Sequence, residues 1–155
     1  MINMEKITYL RISVTDLCNL RCVYCAPVEV IDWQPHENIM RLEEFLEVIR
    51  VAVENGIRSV RISGWEPLVR KGIAQLIKGI SRITAIRDIS LTTNGVLLID
   101  LAEELADSGL RRVNISLDTF QADRFKQITR VGQFKHVWQG ILAAERAGLN
   151  PIKIN

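Results

Sequence analysis

Three segments of this chain stop in the same way, at Asn55-Gly56-Ile57, Ser108-Gly109-Leu110 and Ala147-Gly148-Leu149. Glycine supplies the left-handed residue that closes a helix, and the apolar residue after it turns back onto that helix. Each stop is followed within a few residues by a short run rich in Ile and Val: RSVRIS, RRVNISL and PIKIN. With YLRISVT near the start and RDISLTT in the middle, five strands are expected. Between them, RLEEFLEVIRVAVEN carries Leu42, Phe45, Leu46, Ile49, Ala52 and Val53 at helical spacing. Further helices are expected near 70–83, 97–107 and 134–147, with a short extra one over 121–130. The Phe134, Trp138 and Ile141 spacing predicts core positions for that last long helix.

Strands alternating with helices dictate a parallel sheet joined by right-handed crossovers. The expected class is α/β, as an open doubly wound sheet or as a barrel. A complete eight-unit barrel takes about 250 residues. A chain of 155 residues that stops on its fifth strand is therefore expected to form an incomplete parallel (βα) TIM-type barrel. It reads as one domain over 1–155, the front part of a larger barrel.

Composition narrows the function classes. The chain is 48% hydrophobic and 25% charged, which excludes a disordered polymer. Its 20 basic and 18 acidic residues leave a net charge of +2, so no global field favours nucleic acid. MINMEKITYL lacks the apolar run of a signal peptide, and no segment approaches the about 20 apolar residues of a membrane span. A cytoplasmic protein with neither a nucleic-acid nor a membrane partner is expected. An unpaired fifth strand would invite association into a homo-oligomer.

In parallel α/β folds, function gathers at the C-terminal ends of the strands. Those ends read VTDLCN, SGWEP, TTNG, SLDT and KIN, polar or glycine-containing tails expected to converge on one mouth. The first leads into CNLRCVYC, Cys18 to Cys25, which holds all three cysteines as C-x₃-C-x₂-C. Thiolates suit iron–sulfur clusters and zinc. A structural zinc wants four ligands; His36 could be the fourth, beyond the Trp33-Gln34-Pro35 turn. A redox pair at Cys22 and Cys25 is a further reading, as are three unligated thiols. A 4Fe–4S cube held by three cysteines would leave one iron open to a small molecule.

C-x₃-C-x₂-C just after the first strand, with Tyr24 before the last cysteine, resembles the radical S-adenosylmethionine (SAM) superfamily. YLRISVTDLCNLRCVYC, RSVRISGWEPLVRK, ISLTTNG, RVNISLDT and PIKIN together resemble, from about Tyr9 to Asn155, the GTP 3′,8-cyclase family of molybdenum-cofactor biosynthesis. The resemblance implies a 4Fe–4S cluster on Cys18, Cys22 and Cys25, with SAM on its open iron. Reductive cleavage of SAM would give a 5′-deoxyadenosyl radical that starts the cyclisation of GTP. An external electron donor of flavodoxin or ferredoxin type is implied with it. By the same resemblance Tyr24, Gly64, position 65, Glu66 and Ser116 would meet SAM, and Arg11, Arg61, Thr92 and Lys153 would meet GTP. Cations on strands otherwise rich in Ile and Val fit that role, because forked guanidinium groups grip phosphate.

Two departures stand out. The family pattern Gly-Gly-Glu-Pro reads Gly64-Trp65-Glu66-Pro67 here. If position 65 needs positive φ, a Cβ there costs about 1–2 kcal/mol, and the indole is expected to obstruct SAM. The family also carries a second, guanine-binding cluster, whereas no cysteine follows Cys25 in these 155 residues. The chain alone is therefore expected to lack turnover. Two alternatives remain open: a peptide-modifying radical SAM enzyme, and a non-catalytic iron–sulfur or zinc module.

Overall fold

A computed structural model describes residues 7–25 and 38–155. The Trp33-Gln34-Pro35 turn and His36 lie outside the described residues. Five strands, β1 (Tyr9–Ser13), β2 (Ser59–Ser63), β3 (Asp88–Thr93), β4 (Arg112–Ile115) and β5 (Ile152–Ile154), alternate with α1 (Leu42–Glu54), α2 (Ile73–Ser81), α3 (Leu98–Asp107), α4 (Ala122–Thr129) and α5 (Phe134–Arg146). A short 3-10 helix, Pro67–Val69, precedes α2, so that helix starts later than its apolar spacing alone predicts.

All strand pairs are parallel, and the strand order is β1-β2-β3-β4-β5. Each βα unit thus advances in the same direction. A doubly wound sheet would reverse its order at a switch point; this one never does, and the partial barrel stands. The C′ glycines do what their sequence context predicts. Gly56, Gly109 and Gly148 all have positive φ. The residues after them close six-residue loops, Ile57 N–H to Ala52, Leu110 to Leu105 and Leu149 to Ala144. Ile57, Leu110 and Leu149 are buried.

The two faces of the sheet differ. Sheets covered on both sides carry near-continuous apolar strands, but these strands alternate. Ile12, Val60, Ile62, Ile89, Leu91, Val113 and Ile115 are buried on one face, under a helical layer in which α1 meets α2, α2 meets α3, and α3 meets α5. The register aligns Arg11 with Arg61, Arg61 with Ser90, and Ser90 with Arg112 across the other face. Thr92, Asn114 and Lys153 form a second row on that face. That face is therefore polar. At its N-terminal end Arg112 grips Asp88 with two bonds, Nε to Oδ1 at 3.0 Å and Nη2 to Oδ2 at 2.7 Å.

One core expectation fails. Trp138 is 45% exposed, stacked on Phe134 with ring centroids 6.3 Å apart. Helical spacing cannot separate a core position from a surface aromatic cluster beside it.

Candidate functional site

The chain leaves β1 and folds back as a loop held on two sides. On one side it is stitched to the end of β2: Val14 N–H bonds Ser63 O at 2.8 Å, Trp65 N–H bonds Thr15 O at 3.0 Å, and Glu66 N–H bonds Leu17 O at 2.9 Å. On the other it is stitched to the end of α4, where Arg21 N–H meets Thr129 O at 3.2 Å and Val23 N–H meets Ile128 O at 2.9 Å. Leu20, 6% exposed, anchors the loop in the core. Arg21 Nη1 donates to Cys18 O and Leu20 O, which stiffens the turn between the first two cysteines.

This loop walls a cavity of ≈ 460 Å³ at the C-terminal ends of the strands. Cys18, Cys22 and Cys25 all line it, with Gly64 and Trp65 from the second strand end, Thr92 and Asn94 from the third, and Ser116 and Asp118 from the fourth. Arg11 reaches it from β1, its Nε donating to Ser63 Oγ at 3.0 Å. Tyr24 ties the loop across the mouth, its hydroxyl donating to Asp118 Oδ2 at 2.8 Å. Neither Asn94 nor Asp118 was singled out from the sequence. The signal was present, since both sit in the strand-end tails TTNG and SLDT.

Arg61 and Lys153 share the polar face with Arg11 but do not line the cavity. Arg61 lies over the Tyr9 ring at 5.3 Å, and Lys153 is exposed. Glu66 does not line it either. It is wholly buried, where Oε1 accepts Leu68 N–H at 3.0 Å and the Thr93 hydroxyl at 2.8 Å, and Oε2 accepts Asn94 N–H at 2.7 Å. It braces the turn from beneath. Burial pushes its carboxyl above the ordinary range, against those three bonds that favour the anion.

The backbone constraint falls on Gly64, not on position 65. A Cβ on Gly64 would stand 2.7 Å from Thr15 O and 3.2 Å from Thr15 N. Trp65 is not among the positive-φ residues, so the left-handed strain anticipated there is absent. Its side chain is 43% exposed on the cavity wall.

The donor set fits a thiolate-bound metal group. Burial pushes the Cys18 and Cys22 thiols up from their ordinary value, and the neighbouring sulfurs, Cys25 and Cys18, add to this at Cys22. Three thiolates around one space repel one another until a cation neutralises them, so the metal-free form keeps these sulfurs protonated. Among the described residues, no three His, Cys, Asp or Glu side chains close around a point that would hold one metal ion. The three thiols line the wall of the cavity, and thiolate sulfur is a ligand for zinc and for iron–sulfur groups alike.

Five parallel strands, the first four each followed by helix, with three thiols lining one cavity at their C-terminal ends, define an α/β protein with its candidate site at the strand mouth. The family model of the radical SAM superfamily matches residues 12–155, and the chain belongs to that superfamily. Membership implies SAM and an iron–sulfur cluster. The GTP 3′,8-cyclase of Alkaliphilus metalliredigens is 53% identical over 151 residues, covering 97% of this chain and 47% of that protein. That of Desulforamulus reducens is 54% identical over 151 residues, covering 97% and 46%. The chain thus spans about half the length of the curated relatives it matches. Among solved structures, Streptococcus suis SuiB bound to precursor peptide SuiA superposes with a TM-score of 0.74 at 25% identity, covering 95% of this chain and 32% of that one. Among the described residues, no helix is long and apolar enough to cross a membrane.

Proposed function

We propose that this chain is the cluster- and SAM-binding portion of a GTP 3′,8-cyclase. Such an enzyme converts GTP to (8S)-3′,8-cyclo-7,8-dihydroguanosine 5′-triphosphate in molybdenum-cofactor biosynthesis. The observation that carries this reading is that all three cysteines share one cavity wall with Arg11 and Thr92, on a chain more than half identical to proteins of that name. The group fitted to the three thiols is a 4Fe–4S cluster, which with SAM bound would supply hydrogen-abstracting radical chemistry.

The chain's own residues then have distinct tasks. Cys18, Cys22 and Cys25 hold the cluster. Gly64 lets backbone approach the cavity closely, and the Ser116 hydroxyl and the Tyr24 ring present polar and aromatic surface to SAM. Arg11, with Arg61 and Lys153 along the same face, supplies cationic charge for a triphosphate, and Thr92 adds a hydroxyl. Those cations favour a nucleotide over a peptide substrate. The electron comes from an external flavodoxin- or ferredoxin-type donor. The cytoplasm, where free thiols persist, is the compartment that fits.

The test is anaerobic reconstitution followed by iron counting and product analysis. About four irons per chain, and 5′-deoxyadenosine on adding SAM and dithionite, are expected. Both should vanish in the Cys22→Ala variant. One zinc per chain with no nucleoside product would overturn the reading. Formation of the cyclised nucleotide is assayed in a protein of the relatives' full length.

A further inference from the structure

The sulfur of Cys18 has two N–H donors. It accepts Leu20 N–H at 3.3 Å and the side-chain amide of Asn94 at 3.8 Å. The second donor comes from the end of β3, 76 residues further along the chain. Its amide is held from several directions. Asn94 Oδ1 accepts Val96 N–H at 3.0 Å, Nδ2 also donates to Asn19 Oδ1 at 2.7 Å, and the backbone N–H donates to the buried Glu66 carboxylate at 2.7 Å. The β1 loop, the turn after β2 and the end of β3 thus fix one side chain. Closing the β3 turn does not demand this, because Thr93 Oγ1 already accepts Gly95 N–H at 3.0 Å.

We propose that Asn94 is a positioning residue that sets the reduction potential of the metal group bound at Cys18, with Glu66 as the strut that aims it. This rests on the reading that the three thiols hold an iron–sulfur cluster. An N–H directed at a ligating sulfur draws electron density from it and stabilises the reduced state. The couple is a one-electron reduction by an external donor. The electron stays on the cluster, and no bond or proton changes hands. Removing the donor makes the cluster harder to reduce.

The wild-type protein, N94S and N94A are reconstituted with iron and sulfide. They are titrated with dithionite at fixed pH without SAM, following the reduced cluster by electron paramagnetic resonance. N94S retains an oxygen for Val96 N–H and loses the amide that donates to Cys18 Sγ and to Asn19 Oδ1. Both variants are expected to hold wild-type iron and to show a midpoint shifted to more negative potential. If N94A fails to take up iron, N94S decides. An unchanged midpoint in N94S overturns the proposal. So does loss of iron from both variants beside a loaded wild type, because the role is then structural. A wild type that takes up no iron refutes the cysteine site itself and is distinguishable from either result.

Discussion

At the turn after β2, three adjacent residues divide the work that the sequence pattern assigns to them jointly. Gly64 meets Thr15 backbone so closely that Gly64→Ala must move main chain. We expect it to cost about 1–3 kcal/mol, read by urea denaturation of the metal-free protein. Trp65 sits at ordinary φ with its indole on the cavity wall. Trp65→Gly is therefore expected to cost only about 1 kcal/mol in stability and to tighten SAM binding by vacating cavity space. Calorimetric titration of SAM into both reconstituted proteins checks this, and equal affinities would contradict it. Glu66 binds its proton more tightly folded than unfolded, because burial raises its pKa. Its contribution is fully present below the unfolded value of about 4.3. It is lost as pH rises through the higher folded value. Glu66→Gln removes that slope, so the stability of wild type relative to the variant should fall as pH rises above about 4.3. Denaturant midpoints measured across that range would show parallel curves if the idea is wrong. The sequence made these three residues visible, but which of them needs glycine depended on where Thr15 O lies, a contact 49 positions away.

Among the elements, α4 was legible as a helix and opaque in purpose. Its last residues clasp the cysteine loop by bonds from Arg21 and Val23 amides to Thr129 and Ile128 carbonyls. Backbone-to-backbone bonds of this kind carry no side-chain identity, so no residue pattern announces them. Thr129, 1% exposed, sets the end of the helix: its hydroxyl donates to Phe125 O at 2.8 Å and accepts Gly132 N–H at 3.1 Å. Thr129→Val keeps the shape and leaves Gly132 N–H without that acceptor. The expected loss is about 1–3 kcal/mol. It should come with faster hydrogen exchange at the Arg21 and Val23 amides, while β2 amides keep their protection. A uniform change across the chain would mean that α4 has no special hold on the loop. The strands, by contrast, were read to within two residues at each end, since the C′ glycines and alternating Ile and Val are local signals. Trp138 shows where such signals end: spacing gave its helix, while its exposure depends on Phe134 and the aromatic residues around it.

The described residues form a sheet with one apolar face under helices and one polar face on which Ser90 and Asn114 are buried and Arg11 and Lys153 are exposed. That explains how Arg11, Arg61 and Lys153 come to share a side: period-two alternation in each strand combines with a parallel register that keeps equivalent positions abreast. The alternation could be read from sequence, but the register could not. Neither could the direction in which the β2 tail closes over the β1 loop. The same architecture leaves β1 and β5 as edges, each hydrogen-bonded to one neighbouring strand among the described residues. β5 is short, with Ile154 39% exposed beside a single lysine, Lys153. Unpaired backbone groups next to an apolar side chain are a template for pairing with another chain. The 155-residue chain is therefore expected to self-associate, its mean mass by light scattering rising with concentration. Ile154→Lys, which puts a second charge on the edge and touches nothing in the cavity, should lower that mass toward the monomer while leaving cluster uptake unchanged. A monodisperse wild-type monomer at high concentration would refute the edge argument. Association that persists in Ile154→Lys would move the contact elsewhere, with the aromatic patch around Phe120 and Trp138, both largely exposed, the next surface to test.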